Sequence, residues 1–239
     1  VYTFLGGFKA VCWTDFFQGI LMLVAVLAIP IMIVATEDID PAKLSTAYTY
    51  MDGGKEVVCN FTTSFFSASP AEIASGLAWG LGYFGMPHIL VRFMSIKKTS
   101  MIKKSATVAI VWVVLSLVAT ILIAYFGRIL LADKLLPTGQ QATVFIEFAR
   151  RLFPSFIAGL LLSAIIAASM STADSQLLVA SSSFTSDIYK PVFRKNASEK
   201  EILWVGRLVV LIIAVIAYFI ASSKAEGAQT IMNMVENAW

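Results

Sequence analysis

The run Ala167-Ala168-Ser169-Met170-Ser171-Thr172-Ala173-Asp174-Ser175-Gln176 concentrates oxygen ligands in an otherwise apolar stretch. Ala168, Ser171, Thr172 and Ser175 share one face by their i, i+3, i+4, i+7 spacing. Hydroxyl and carbonyl oxygens, with no thiolate or imidazole among them, are what a hard monovalent cation needs to replace part of its hydration shell. The same face would serve ordinary helix packing, with hydroxyls bonded back to carbonyls of the preceding turn. Spacing alone leaves both readings open. Asp174 differs in kind, because a carboxylate at membrane depth costs about 2.5 to 3.5 kcal/mol on insertion scales and so needs a partner or a role. Asp15 is the other acid inside an apolar stretch.

A second constellation lies in Gly76-Leu77-Ala78-Trp79-Gly80-Leu81-Gly82-Tyr83-Phe84-Gly85-Met86-Pro87-His88. In a helix interior Gly costs about 1 kcal/mol and Pro about 3 kcal/mol relative to Ala. The segment is therefore a candidate broken helix, and interrupted segments of this kind point to transporter binding sites. Close packing through small residues is the alternative. Trp79, Tyr83 and Pro87 stand at i, i+4 and i+8 and lie near one face if the segment is approximately helical. Two aromatics with polar tips beside loosened backbone could enclose a small solute; an interfacial aromatic belt is the competing explanation.

The elements that must hold these groups follow from composition. Of 239 residues, 58% are hydrophobic and only 14% charged, with a mean hydropathy of +0.81, whereas a soluble domain is about 25% charged. Crossing the hydrocarbon layer takes about 20 mostly apolar residues. The stretches 12–35, 71–91, 106–131, 156–182 and 202–222 qualify, and 229–239 opens a sixth. Lipid offers backbone amides no partners, so these segments are expected to be helices. The fold class is all-α and polytopic, with residues 1–239 forming one transmembrane domain.

Lys97, Lys98, Lys103 and Lys104 follow the second stretch, and Lys190, Arg194, Lys195 and Lys200 follow the fourth, which places both connections in the cytoplasm. The acidic connection 36–70 then lies outside. Alternation also puts Arg128, Lys134, Arg150 and Arg151 outside, the one connection at odds with the rule. Within it Val144, Phe145, Phe148, Ala149 and Leu152 recur at helical spacing, and a short amphipathic helix is expected there.

The net charge of +3 and dispersed basic residues give no nucleic-acid surface. His88, the only histidine, has no catalytic partner in the sequence, so an enzyme is not expected. Cys12 and Cys59 suggest neither a disulfide nor a metal cluster. Val1-Tyr2-Thr3-Phe4-Leu5-Gly6-Gly7 has neither an initiator Met nor the order of a signal peptide, and Trp239 falls as a new apolar pattern begins, so the chain is expected to be a fragment.

Several runs together resemble the sodium:solute symporter family, most closely its bacterial proline-transporting branch. They are Gly6-Gly7-Phe8-Lys9-Ala10-Val11-Cys12-Trp13-Thr14-Asp15, then Trp79 through His88, then Met170-Ser171-Thr172 through Gln176-Leu177-Leu178-Val179 to Asp187-Ile188-Tyr189. Lys200-Glu201 and Trp204-Val205-Gly206-Arg207 continue the likeness. Two positions depart from it: Met86 stands where a Gln is expected, and Asp174 adds a carboxylate where some members have a hydroxyl.

The resemblance implies a LeuT-type inverted-repeat fold, with the present helices equivalent to core helices five to nine and the start of ten. It implies a sodium site at the Ala168 carbonyl, Ser171 and Thr172, and a solute site at Trp79, Tyr83 and Pro87, each facing core helix one. It also packs the first stretch beside the fourth, so that Asp15, Ser171, Asp174 and Ser175 line a second cation site or a station on the ion's exit path. Alternatively Asp15 caps its helix and Asp174 bonds neighbouring hydroxyls. The function implied is sodium-coupled uptake of L-proline across the bacterial plasma membrane, with sodium, a small solute and the lipid bilayer as partners. A sodium symporter for another small organic solute, or a symporter-like sensory module of a signalling protein, are the rival readings.

Overall fold

The computed structural model describes residues 2–45, 47–52, 55–59, 69–82 and 85–222. The elements run α1 (Tyr2–Thr36), a 3-10 turn (Pro41–Ser45), β1 (Tyr48–Asp52), β2 (Lys55–Cys59), α2 (Pro70–Gly82) and α3 (Pro87–Met94). They continue through α4 (Met101–Leu130), the one-turn α5 (Ala132–Leu135), α6 (Val144–Leu152), α7 (Ser155–Ser183), a π-helical extension (Phe184–Phe193) and α8 (Glu199–Ser222). Among the described residues, four helical stretches are long and apolar enough to span a bilayer: Gly6–Thr36, Met101–Leu130, Ser155–Phe193 and Glu199–Ser222. The chain is a multi-pass membrane protein. Stretch 71–91 forms two shorter helices instead of one, and 229–239 lies outside the described residues.

The residues fall into two compact units, and α1 and α7 each run through both. One comprises 17–69 and 98–168. Its core comes from one face of α1 (Ala25, Ile29, Ile33), from Ile123 and Phe126 of α4, and from Leu161 and Ala164 of α7. The four-residue steps on α1 and the three-residue step on α4 are those of a single helical stripe on each. The outer face of α4, including Val108, Val111, Leu115 and Val118, is equally apolar and exposed. A helix apolar all round is what lipid requires. Trp112 donates its indole N–H to the Gly19 carbonyl at 3.2 Å, tying α4 to α1.

The amphipathic helix expected near 144–152 is α6, with Phe148 and Ala149 fully buried in this core. The bases of its connection are largely engaged. Lys134 pairs with Glu147, Arg151 pairs with Glu37 at 2.6 Å, and buried Arg128 lies 4.4 Å from the centroid of the Tyr48 ring. Burial, and then a hydrogen bond to Asp133, hold the Tyr48 phenol above the usual tyrosine range. β1 and β2 pair antiparallel with Tyr48 opposite Cys59 and Asp52 opposite Lys55.

The other unit comprises 1–16, 70–97 and 169–239. Its α1 segment contains a kink at Gly7, whose φ of 56° and ψ of −149° lie in a region closed to side-chain-bearing residues. The helix therefore begins at Tyr2, ten residues before stretch 12–35, by continuing across a joint that interrupts the apolar pattern. α7 and α8 approach closely where the Ser181 hydroxyl donates to the Gly206 carbonyl at 2.7 Å. Ser181 and Thr185 are buried at that crossing, a small-residue contact of the kind membrane helices favour.

Candidate functional site

The helix break lies between Gly82 and Pro87. Met86 is extended, at φ −70° and ψ 115°, and its carbonyl receives the Ile89 and Leu90 amides at 3.0 and 3.1 Å. Pro87 is the first residue of α3, where a missing N–H leaves no helical bond unmade and the fixed φ favours a new start. Proline thus opens the second of the two helices. Trp79 lies on α2 by its backbone, Tyr83 lies outside the described residues, and Pro87 is exposed at the start of α3. Trp79 and Pro87 stand on separate helices, so their spacing does not by itself place them on one face.

On α7, Ala168 and Ser171 are half-buried and Thr172 is exposed. Ala168 is the last residue of its unit; Ser171 and Thr172 stand in the next one along the same helix. Asp174 is half-buried and accepts a hydrogen bond from the buried Thr3 hydroxyl at 2.7 Å. Thr3 precedes the Gly7 kink, so the short first piece of α1 supplies that donor.

Asp15 and Ser175 come together, with Asp15 on α1 well inside the helix and not at its cap. The Ser175 hydroxyl stands 3.5 Å from Asp15 Oδ2 and is buried. Between them lies a residue that sequence reasoning passed over. Arg92, in the last turn of α3, places Nη2 at 2.5 Å from Asp15 Oδ2 and 2.6 Å from Ser175 Oγ. Its signal in the sequence was a lone cation in the apolar run Pro87-His88-Ile89-Leu90-Val91-Arg92-Phe93-Met94. The Asp15 carboxylate is 9% exposed and needs such compensation, since an unpaired buried charge is strongly destabilising. Arg92, next to the C-terminus of α3, is also favoured there by the helix dipole.

Farther along the same unit, Arg207 of α8 lies 5.0 Å from the Trp204 ring centroid and 5.9 Å from that of Phe4. Tyr189 donates to Glu201 at 2.8 Å, joining the π-helical extension to the first turn of α8. Among the described residues no three His, Cys, Asp or Glu side chains gather into a transition-metal cluster. The donors available are hydroxyls, carbonyls and separated carboxylates, a set suited to an alkali cation.

The chain is 42% identical to the sodium/proline symporter of Haemophilus influenzae across its whole length, covering 47% of that protein. It is 42% identical to sodium/proline symporter 2 of Staphylococcus saprophyticus and 38% identical to the sodium/proline symporter of Escherichia coli, covering 45% and 46% of those proteins. The chain thus spans about half the length of the curated relatives it matches. These relatives are transporters, not enzymes. The pattern of the sodium:solute symporter family matches residues 1–239, and the chain belongs to that family.

Proposed function

We propose that the protein carries out sodium-coupled secondary active uptake of L-proline across the bacterial cell membrane. The observation that carries this reading is the α2–α3 break at Gly82–Pro87, within a chain matched end to end by a sodium:solute symporter pattern. Broken membrane helices expose backbone polar groups that can meet a solute or ion. The names of the relatives favour proline as that solute. The second apolar segment is the interrupted one, the place that the sixth core helix of a LeuT-type inverted repeat would take. This supports numbering the helices five to nine, with 229–239 opening ten.

In this reading sodium binds at the Ala168 carbonyl, Ser171 and Thr172 on α7. Trp79, Tyr83 and Pro87 enclose the solute, while Gly82 and Gly85 permit the break. Sodium favours the outward-open state, and its release inside lets the bundle open to the cytoplasm. Coupling is then a difference in affinity between states, and no bond is made or broken. Asp15, Asp174 and Ser175 form a second cation station, for which the approach of Ser175 to Asp15 is the structural support.

Met86 favours a second reading, in which the solute is another small organic molecule. It occupies the extended position between the two helices, where an amide side chain would instead offer a polar contact. Uptake of radiolabelled proline into proteoliposomes under an imposed sodium gradient, with competition by unlabelled solutes, separates the two. Proline is expected to compete most strongly. Uptake indifferent to sodium would overturn the symport reading, and stronger competition by another solute class would overturn proline alone.

A further inference from the structure

Asp15 and Arg92 are unequal partners. The carboxylate side chain is 9% exposed and the arginine side chain 49%. A long, half-exposed cation can draw its head group away along its flexible stem. The buried carboxylate has no such freedom and must keep a counter-charge. The present arrangement also leaves it incompletely served. A single nitrogen, Arg92 Nη2, contacts both Asp15 Oδ2 and Ser175 Oγ, while Asp15 Oδ1 is buried and has no hydrogen-bond partner among the described residues. One cationic nitrogen thus sits between a carboxylate and a hydroxyl oxygen, and a third oxygen is unused. Those are hard ligands, as suitable for an alkali ion as for a guanidinium.

We propose that Arg92 is a tethered cation that competes with sodium for Asp15 and Ser175. The inference rests on the second cation station and identifies what holds it when no ion is there. Two positive charges crowded onto one carboxylate repel, so arrival of the ion expels the guanidinium. Arg92 is carried by α3, which starts afresh after the break at Gly82–Pro87. Expulsion therefore releases α3 from α1 and α7 on the far side of that joint. By reciprocity, whatever draws α3 away raises the affinity of Asp15 and Ser175 for sodium.

The test uses the intact protein in proteoliposomes, reading the sodium activation of uptake and the equilibrium binding of radioactive sodium. Arg92→Gln is expected to lower the half-saturating sodium concentration about fivefold, the scale of losing a partly screened ion pair. Arg92→Lys, a more strongly hydrated point charge, is expected to lower it by a smaller factor. It decides the matter if the Gln variant fails to reach the membrane. Arg92→Gln should have no further effect in an Asp15→Asn background. Unchanged or raised half-saturation in the arginine variants, or an equal shift with Asp15→Asn present, would overturn the exchange. If Asp15→Asn alone keeps wild-type sodium cooperativity, the second station fails and the exchange with it. If Asp15→Asn alters cooperativity while the arginine variants do not move half-saturation, the station stands and only the exchange is rejected.

Discussion

The Thr3 hydroxyl donates to the Asp174 carboxylate at 2.7 Å, joining residues 171 positions apart. The bond answers the question posed by an acid in an apolar helix, because it supplies a fixed donor on a neighbouring segment. It does not require the acid to be charged, since an amide oxygen can accept the same bond. Asp174→Asn is therefore expected to retain the Thr3 contact and reach the membrane. If Asp174 also serves a second ion, this variant lowers the Hill coefficient for sodium or the charge moved per solute. Wild-type cooperativity and charge-to-solute ratio would remove Asp174 from any ion site.

Thr172→Ala is expected to raise the sodium concentration needed for uptake. The substitution deletes one of the ion's proposed oxygen ligands, which is expected to weaken sodium binding severalfold. Sodium activation curves measured at matched membrane expression check this, and an unchanged curve would exclude Thr172 as a ligand.

Tyr83→Ala is expected to weaken solute binding more than sodium binding, with Leu81→Ala as the control that does little. Binding isotherms for labelled solute, taken at saturating sodium, provide the measurement. Equal losses of solute and sodium affinity would place Tyr83 outside the solute wall.

Gly206→Val should destabilise the α7–α8 crossing. Even a single carbon added at Gly206 would stand 3.2 Å from the Ser181 hydroxyl and 3.7 Å from a Thr185 methyl. Overpacking of this kind typically costs about 1 to 3 kcal/mol. Thermal unfolding in detergent should show a lowered midpoint, whereas Gly76→Ala, where nothing lies within 4 Å, should not lower it through contact. An unmoved midpoint in Gly206→Val would contradict the observed close approach.

Hydropathy made the long helices legible because length and apolar composition suffice to identify them. Stretches 106–131, 156–182 and 202–222 differ by only a few residues from α4, α7 and α8. The same pattern placed α6, since Phe148 and Ala149 face a core while Glu147, Arg150 and Arg151 do not enter it. Other features were hidden for physical reasons. Gly6, Gly7 and Lys9 broke the apolar run that would have shown α1 beginning at Tyr2, and the polar residues after Ser183 disguised the π-helical extension. The hairpin was signalled only weakly, by Gly53-Gly54 between two short segments. At the candidate site, glycines and a proline announced the break, and residue type announced Asp15 and Asp174. Arg92 stayed unread because its partners, 77 and 83 residues away, are joined to it only by the fold.

The short helix α6 also bears on how the protein is made. Its nine residues are about 14 Å long at 1.5 Å per residue, against about 30 Å of hydrocarbon. It cannot enter the membrane as a span while the ribosome is still working. Its apolar face joins a core that draws Ala25, Ile29, Ile33, Ile123, Phe126, Leu131 and Leu135 from earlier elements and Leu161 and Ala164 from the next helix. Until α7 has been synthesised and inserted, Phe148 waits at the membrane surface without its full set of neighbours. Biogenesis of this unit is thus ordered: the spans go in first and the segment between them docks last, once α7 has brought Leu161 and Ala164 to the shared core.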